Sequence, residues 1–111
     1  MATIFEKIAS GEIPGEILHR DSHCFVLRDV EPRAPVHLLI VPLEPIRGLS
    51  AAGEGDRWLL GHLLLVAKKM AEKFAPGGFR VVVNDGKSAG QSVPHLHVHL
   101  LAGRDFSWPP G

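Results

Sequence analysis

Polar and apolar positions divide the chain into short strand-like runs around one long helical stripe. Residues 3–9 set Ile4, Phe5, Ile8 and Ala9 on one face of a short helix. Thr3 is its N-cap and Glu6 the matching capping-box partner, and Gly11 and Pro14 end it. Residues 15–20 and 24–30 predict a hairpin turning at Asp21-Ser22-His23. Pro32 and Pro35 make residues 31–35 a loop. Residues 36–41 are nearly continuously apolar and predict a central strand with His37 as its one polar member, closed by Pro42. Residues 56–74 predict the long helix. Leu59, Leu63, Val66, Met70 and Phe74 form its core stripe, widened by Leu60, Leu64, Ala67 and Ala71, while Trp58 and Leu65 lie off it. Strands over 79–84 and 95–101 follow, separated by a glycine-bearing loop at 85–92. The order predicts an α+β domain with a mostly antiparallel five-stranded sheet.

A length of 111 residues fits a single domain, 1–111, and 45% hydrophobic residues suffice for its core. Twelve basic and twelve acidic side chains cancel, which argues against a protein that coats nucleic acid by bulk charge. Cys24 is the only cysteine, so neither an internal disulfide nor a four-cysteine zinc module is available. The opening Met1-Ala2-Thr3-Ile4-Phe5-Glu6-Lys7 lacks a signal-peptide layout. The apolar run Leu63-Leu64-Leu65-Val66-Ala67 is far short of the ~20 residues that cross a bilayer. A cytoplasmic setting without a membrane partner is the expectation. Seven histidines stand out in a chain with no tyrosine.

Three of them fall in His95-Leu96-His97-Val98-His99-Leu100-Leu101. A strand alternates faces, so the histidines project from one side and Leu96, Val98 and Leu100 enter the core. Same-face neighbours lie ~7 Å apart, so one reacting centre cannot meet all three rings equally. His97 is placed as nucleophile or metal ligand, with His95 and His99 in support. Imidazole, with an unperturbed pKa of ~6.5, offers a neutral nucleophilic nitrogen at neutral pH. A zinc site could recruit His37, although a water-activating carboxylate is missing from the last strand. Upstream, Gly86-Lys87-Ser88-Ala89-Gly90-Gln91-Ser92-Val93-Pro94 is a candidate phosphate cradle of backbone N–H groups, with Ser92 adding a hydroxyl and Asn84 nearby.

The histidine run resembles the histidine-triad pattern. The likeness extends through Thr3-Ile4-Phe5, residues 27–30, the strand around His37, Leu59-Leu60-Gly61-His62-Leu63, Val81-Val82-Val83-Asn84 and Gly90-Gln91-Ser92-Val93, to Trp108-Pro109-Pro110-Gly111. It covers essentially the whole chain and resembles the Hint branch, the histidine-triad nucleotide-binding proteins that are purine nucleoside phosphoramidases. His99 supports this branch, since nucleotidyltransferase relatives carry glutamine there.

The resemblance implies a homodimer with the sheet extended across it and cleavage of purine nucleoside phosphoramidates. His97 attacks the α-phosphorus and forms a nucleotidyl-histidine. The His95 carbonyl accepts the other ring N–H of His97. His99 bonds the phosphate and assists the leaving group, and His37 completes the cluster. Ser92 and the N–H of Val93 contact phosphate and amine, and Gly90, Gln91 and Asn84 join them in holding the nucleotide. Asp29 accepts the ribose hydroxyls, Ile4, Phe5, Ile8, Leu27 and Val30 form the base pocket, and Trp108 approaches the partner's site. Neither cofactor nor metal is implied. Arg28, Leu43-Glu44-Pro45 and Pro94 depart from close relatives, which bears on the pocket rim and the leaving group. The rival readings are a dinucleoside polyphosphate hydrolase of the related Fhit type, a non-catalytic purine nucleotide module, and a zinc-binding protein.

Overall fold

The computed structural model describes residues 2–111. Its spine is the apolar run the sequence marks as central, β3 (Val36–Pro42), in which every residue after Val36 is buried. With β1 (Ile17–Arg20), β2 (Cys24–Arg28), β4 (Phe79–Val82) and β5 (Val98–Ala102) it forms one five-stranded sheet, ordered β1-β2-β3-β5-β4. All four pairings are antiparallel.

Alternation along the strands divides the interior in two. On one face Cys24, Val26, Leu38, Ile40, Leu96, Val98 and Leu100 pack against α2 (Arg57–Phe74) through Leu63, Val66, Ala67, Met70 and Ala71. On the other, Phe25, Leu27, Leu39 and Val41 pack against Phe5 and Ile8 of α1 (Ile4–Ala9). The capping box forms: Thr3 Oγ1 accepts the Glu6 N–H at 3.2 Å, and Glu6 Oε1 accepts the Thr3 N–H at 2.9 Å.

Strand limits and helix width differ from the sequence pattern. β5 begins at Val98 rather than His95. Its register pairs Ile40 with Val98, and two steps further it would reach Pro42, which has no N–H to donate. The chain leaves the ladder there: Leu96 donates its N–H to the Ile46 carbonyl and His95 to that of Val93. β2 stops at Arg28, and the Asp29 N–H bonds the His37 carbonyl beyond it. Leu64 is 54% exposed, because a helix lying on a flat sheet buries a narrower stripe than its apolar residues could fill.

Leu100 is fully buried between sheet and α2, so Leu100→Ala is expected to cost about 2–5 kcal/mol in urea unfolding. Leu64→Ala is expected to stay within about 0.5 kcal/mol of the wild type, and a cost equal to that of Leu100→Ala contradicts this packing.

Candidate active site

Four histidines of the α1 side of the sheet have their ring protons dictated by fixed neighbours. His97 Nδ1 lies 2.7 Å from the His95 carbonyl. A carbonyl only accepts, so Nδ1 carries a proton, and in the neutral ring Nε2 keeps its lone pair. The Arg33 N–H donates to His37 Nδ1 at 3.0 Å, which puts the His37 proton on Nε2. That N–H donates to His99 Nδ1 at 2.9 Å, and neutral His99 therefore holds its own proton on Nε2. His95 donates Nε2–H to the Pro42 carbonyl at 2.8 Å and accepts the Thr3 hydroxyl at Nδ1, also at 2.8 Å. The N-cap of α1 thus serves the helix and the histidine run together.

The sheet register brings these rings together. His37 stands opposite Leu101 and His99 opposite Leu39, which makes the two histidines diagonal neighbours on one face. The ring centroids of His97 and His99 are 5.0 Å apart, closer than the spacing of their backbone positions. Phe5 sets its ring edgewise to both His95 and His97, at 5.6 and 5.0 Å. Asp29 stands at the outer end, with Oδ2 3.4 Å from His37 Nε2 and Oδ1 accepting the Glu31 N–H.

Desolvation favours neutral rings. Burial is the leading cause that pushes His99 down to about 4, reinforced by His97 and His37 and opposed by the Asp29 carboxylate. Burial also lowers His37, against the pull of Asp29 and with a smaller contribution from Arg33. His95 is lowered by burial as well, although the Pro42 carbonyl and Glu6 favour its charged form.

A cavity of about 740 Å³ opens over His97 and His99. Ile4, Phe5, Ile8, Leu27 and Val30 form an apolar side, Asp29 and His37 an ionisable one, and Asn84, Ser92 and Val93 an edge. Most sequence-predicted residues therefore meet in one place. Val30 does so only as rim, being 92% exposed. His95 lies beneath the cavity, fully buried. Gly90 and Gln91 do not line it. Gly90 takes a left-handed φ of 93° that ends the turn Lys87–Ala89. Gln91 braces the loop, donating to the Arg47 and Val93 carbonyls and accepting the Gly86 N–H. Trp108 is 83% exposed and outside the cavity. Leu39 and Leu101 line it too, and sequence reasoning passed them over. They share a face with His37 and His99 at two-residue spacing, so the alternation already carried the signal.

Because folding depresses these histidines, the unfolded chain binds more protons between the folded values and ~6.5. Their contribution is complete above that value and is lost as pH falls through it toward about 4. The thermal midpoint is expected to drop by on the order of 5 °C or more between pH 7 and pH 5, with a shallower slope in His99→Asn. Calorimetry across pH checks this, and a flat profile contradicts it.

Comparison with known proteins matches the HIT domain over residues 10–106. An uncharacterized HIT-like protein of Synechocystis is 53% identical over 110 residues, covering 98% of this chain and 96% of the relative. A 14 kDa zinc-binding protein of Zea mays is 47% identical over 112 residues, covering 98% and 88%. The crystal structure of a HIT family hydrolase from Legionella pneumophila superposes with a TM-score of 0.96 at 41% identity, covering 99% of this chain and all of that one. With residues 10–106 matched to the domain and 99% of the chain covered by the Legionella superposition, the chain belongs to the HIT domain family.

Proposed function

We propose that the protein is a nucleotide-binding hydrolase of the Hint type, cleaving the P–N bond of purine nucleoside 5'-phosphoramidates. One observation carries this reading: the His97 Nδ1–H···O hydrogen bond to His95, which in the neutral ring makes Nε2 the nitrogen with the free lone pair, in a ring that lines the cavity. The Nε2 lone pair bonds the α-phosphorus, the P–N bond breaks, and its electron pair leaves on the amine nitrogen, which takes up a proton. The Nε2–H of His99 and the Ser92 hydroxyl are the donors for the phosphate and the departing amine. Water then attacks phosphorus and gives up a proton, balancing the one the amine took up, while the P–Nε2 bond breaks with its electron pair returning to His97 and the nucleoside monophosphate leaves. Asp29 suits the ribose hydroxyls as an acceptor with two oxygens, and the apolar side formed by Ile4, Phe5, Ile8 and Leu27 suits a purine face. The hydrolase name of the Legionella neighbour agrees with the reaction class.

Homodimerisation belongs to the same reading. β4 is an edge strand, Phe79 on it is 46% exposed, and Trp58 and Leu65 stand uncovered on α2. A second copy pairing at that edge continues the sheet and gives Trp108 an opposite site to approach.

Hydrolysis of adenosine 5'-phosphoramidate is expected to fall by about 10³-fold or more in His97→Ala. Equal rates in the two proteins refute the nucleophile, and faster release of AMP from a diadenosine polyphosphate favours the Fhit-type reaction instead. Sedimentation at micromolar concentration is expected to give twice the chain mass, and a monomer contradicts the dimer.

A further inference from the structure

A second group of histidines lies on the opposite, α2 side of the sheet, where no part of the proposed reaction uses it. His19 on β1, Asp21 in the hairpin turn, Cys24 at the start of β2 and His62 on α2 converge on one carboxylate oxygen. Asp21 Oδ2 is 2.9 Å from His19 Nε2, 2.9 Å from His62 Nε2 and 3.5 Å from the Cys24 thiol. The donor atoms of His19, Asp21 and Cys24 all lie within 4.8 Å of one another. We propose that these four residues form a structural site for a divalent transition metal, zinc in the first instance, clamping the β1–β2 hairpin to α2.

The donor arithmetic favours an ion over a hydrogen-bonded clasp. Oδ1 of Asp21 already accepts the N–H groups of His23 and Cys24, which fixes the carboxylate. Oδ2 is left facing three donors that compete for it, two ring N–H groups and the weaker Cys24 thiol. A metal removes the conflict, because Nε2 of each ring, Oδ2 and Sγ all become ligands to one centre. Two neutral imidazoles, a carboxylate and a thiolate sum to two negative charges, which a divalent cation neutralises. Tetrahedral zinc sets its ligand atoms about 3.3–3.7 Å apart; the contacts through Asp21 Oδ2 lie within a few tenths of an ångström of that, and His62, which stands outside the 4.8 Å group of the other three, reaches the ion by a side-chain shift. Mixed nitrogen, sulfur and carboxylate donors suit zinc better than calcium or magnesium.

The surroundings hold the ligands in place. The Trp58 indole stacks on the His62 ring, 4.9 Å between centroids and 8° from parallel, and the His23 ring closes edgewise at 4.5 Å from Trp58. Cys24 is fully buried, whereas His19, Asp21 and His62 keep about a quarter of their side-chain surface exposed, which leaves an entry path. Binding balances as one metal ion in and one proton out: the thiol loses its proton, and each neutral ring moves its proton from Nε2 to Nδ1. All four ligands being supplied by protein, the site is closed and its role is to tie the fold rather than to activate water.

The test titrates the chelator-stripped full-length protein with cobalt(II) and zinc. One cobalt per chain is expected, with near-ultraviolet thiolate-to-cobalt absorption, and zinc is expected to raise the thermal midpoint by several degrees. Cys24→Ser is expected to abolish that absorption, and His62→Gln to weaken zinc binding by on the order of 100-fold while the metal-free fold melts within a few degrees of the wild type. His99→Asn is expected to leave both signals intact. Absence of stoichiometric binding overturns the proposal, as do absorption that persists in Cys24→Ser and affinity unchanged in His62→Gln. Loss of both signals in His99→Asn relocates the ion to the other face and overturns it equally. None of these results depends on the phosphoramidase reading, which His97→Ala tests separately.

Discussion

A peptide carbonyl settles which nitrogen of His97 holds a proton, and the chemistry of the site rests on that constraint. An imidazole free to exchange tautomers spends much of its time with the wrong atom facing a substrate. Here the accepting oxygen belongs to the backbone two residues earlier, so it cannot rotate away. The same device recurs nearby: a backbone N–H fixes His37, His37 fixes His99, and a carbonyl with a helix-capping hydroxyl fixes His95. Burial adds the electrostatic half by disfavouring the charged rings at neutral pH.

Those neighbours are available because of where the ladder stops. Pro42 cannot donate, so pairing with β5 ends early and the stretch around His95 departs from regular strand. The Pro42 carbonyl becomes an acceptor for His95, and the His95 carbonyl is left for the ring of His97. Thr3 links this arrangement to α1, whose Phe5 abuts the two rings and also lines the cavity. Local backbone chemistry, one proline and one N-cap together position a nucleophile.

The sequence made much of this readable. Period-two alternation at His95, His97 and His99 assigned them a face, and the apolar run around His37 marked the central strand, since both patterns are local. The capping box was equally local. What the pattern missed depends on tertiary register. The start of β5 follows from the position Pro42 reaches across the sheet, and Leu64 is exposed because of how α2 lies on it. The Gln91 amide spans two loops, bonding the Arg47 and Val93 carbonyls, and no spacing in the sequence reveals their proximity. His19, Asp21, Cys24 and His62 carried no signal as a group, since Cys24 and His62 lie 38 positions apart and only the packing of α2 unites them.

The protonation pattern itself is open to direct observation. Nitrogen-15 correlation spectra of the imidazole side chains at neutral pH are predicted to show the proton on Nδ1 of His97 and on Nε2 of His37, His95 and His99. A His97 ring protonated on Nε2, or exchanging between tautomers in the folded protein, contradicts the account.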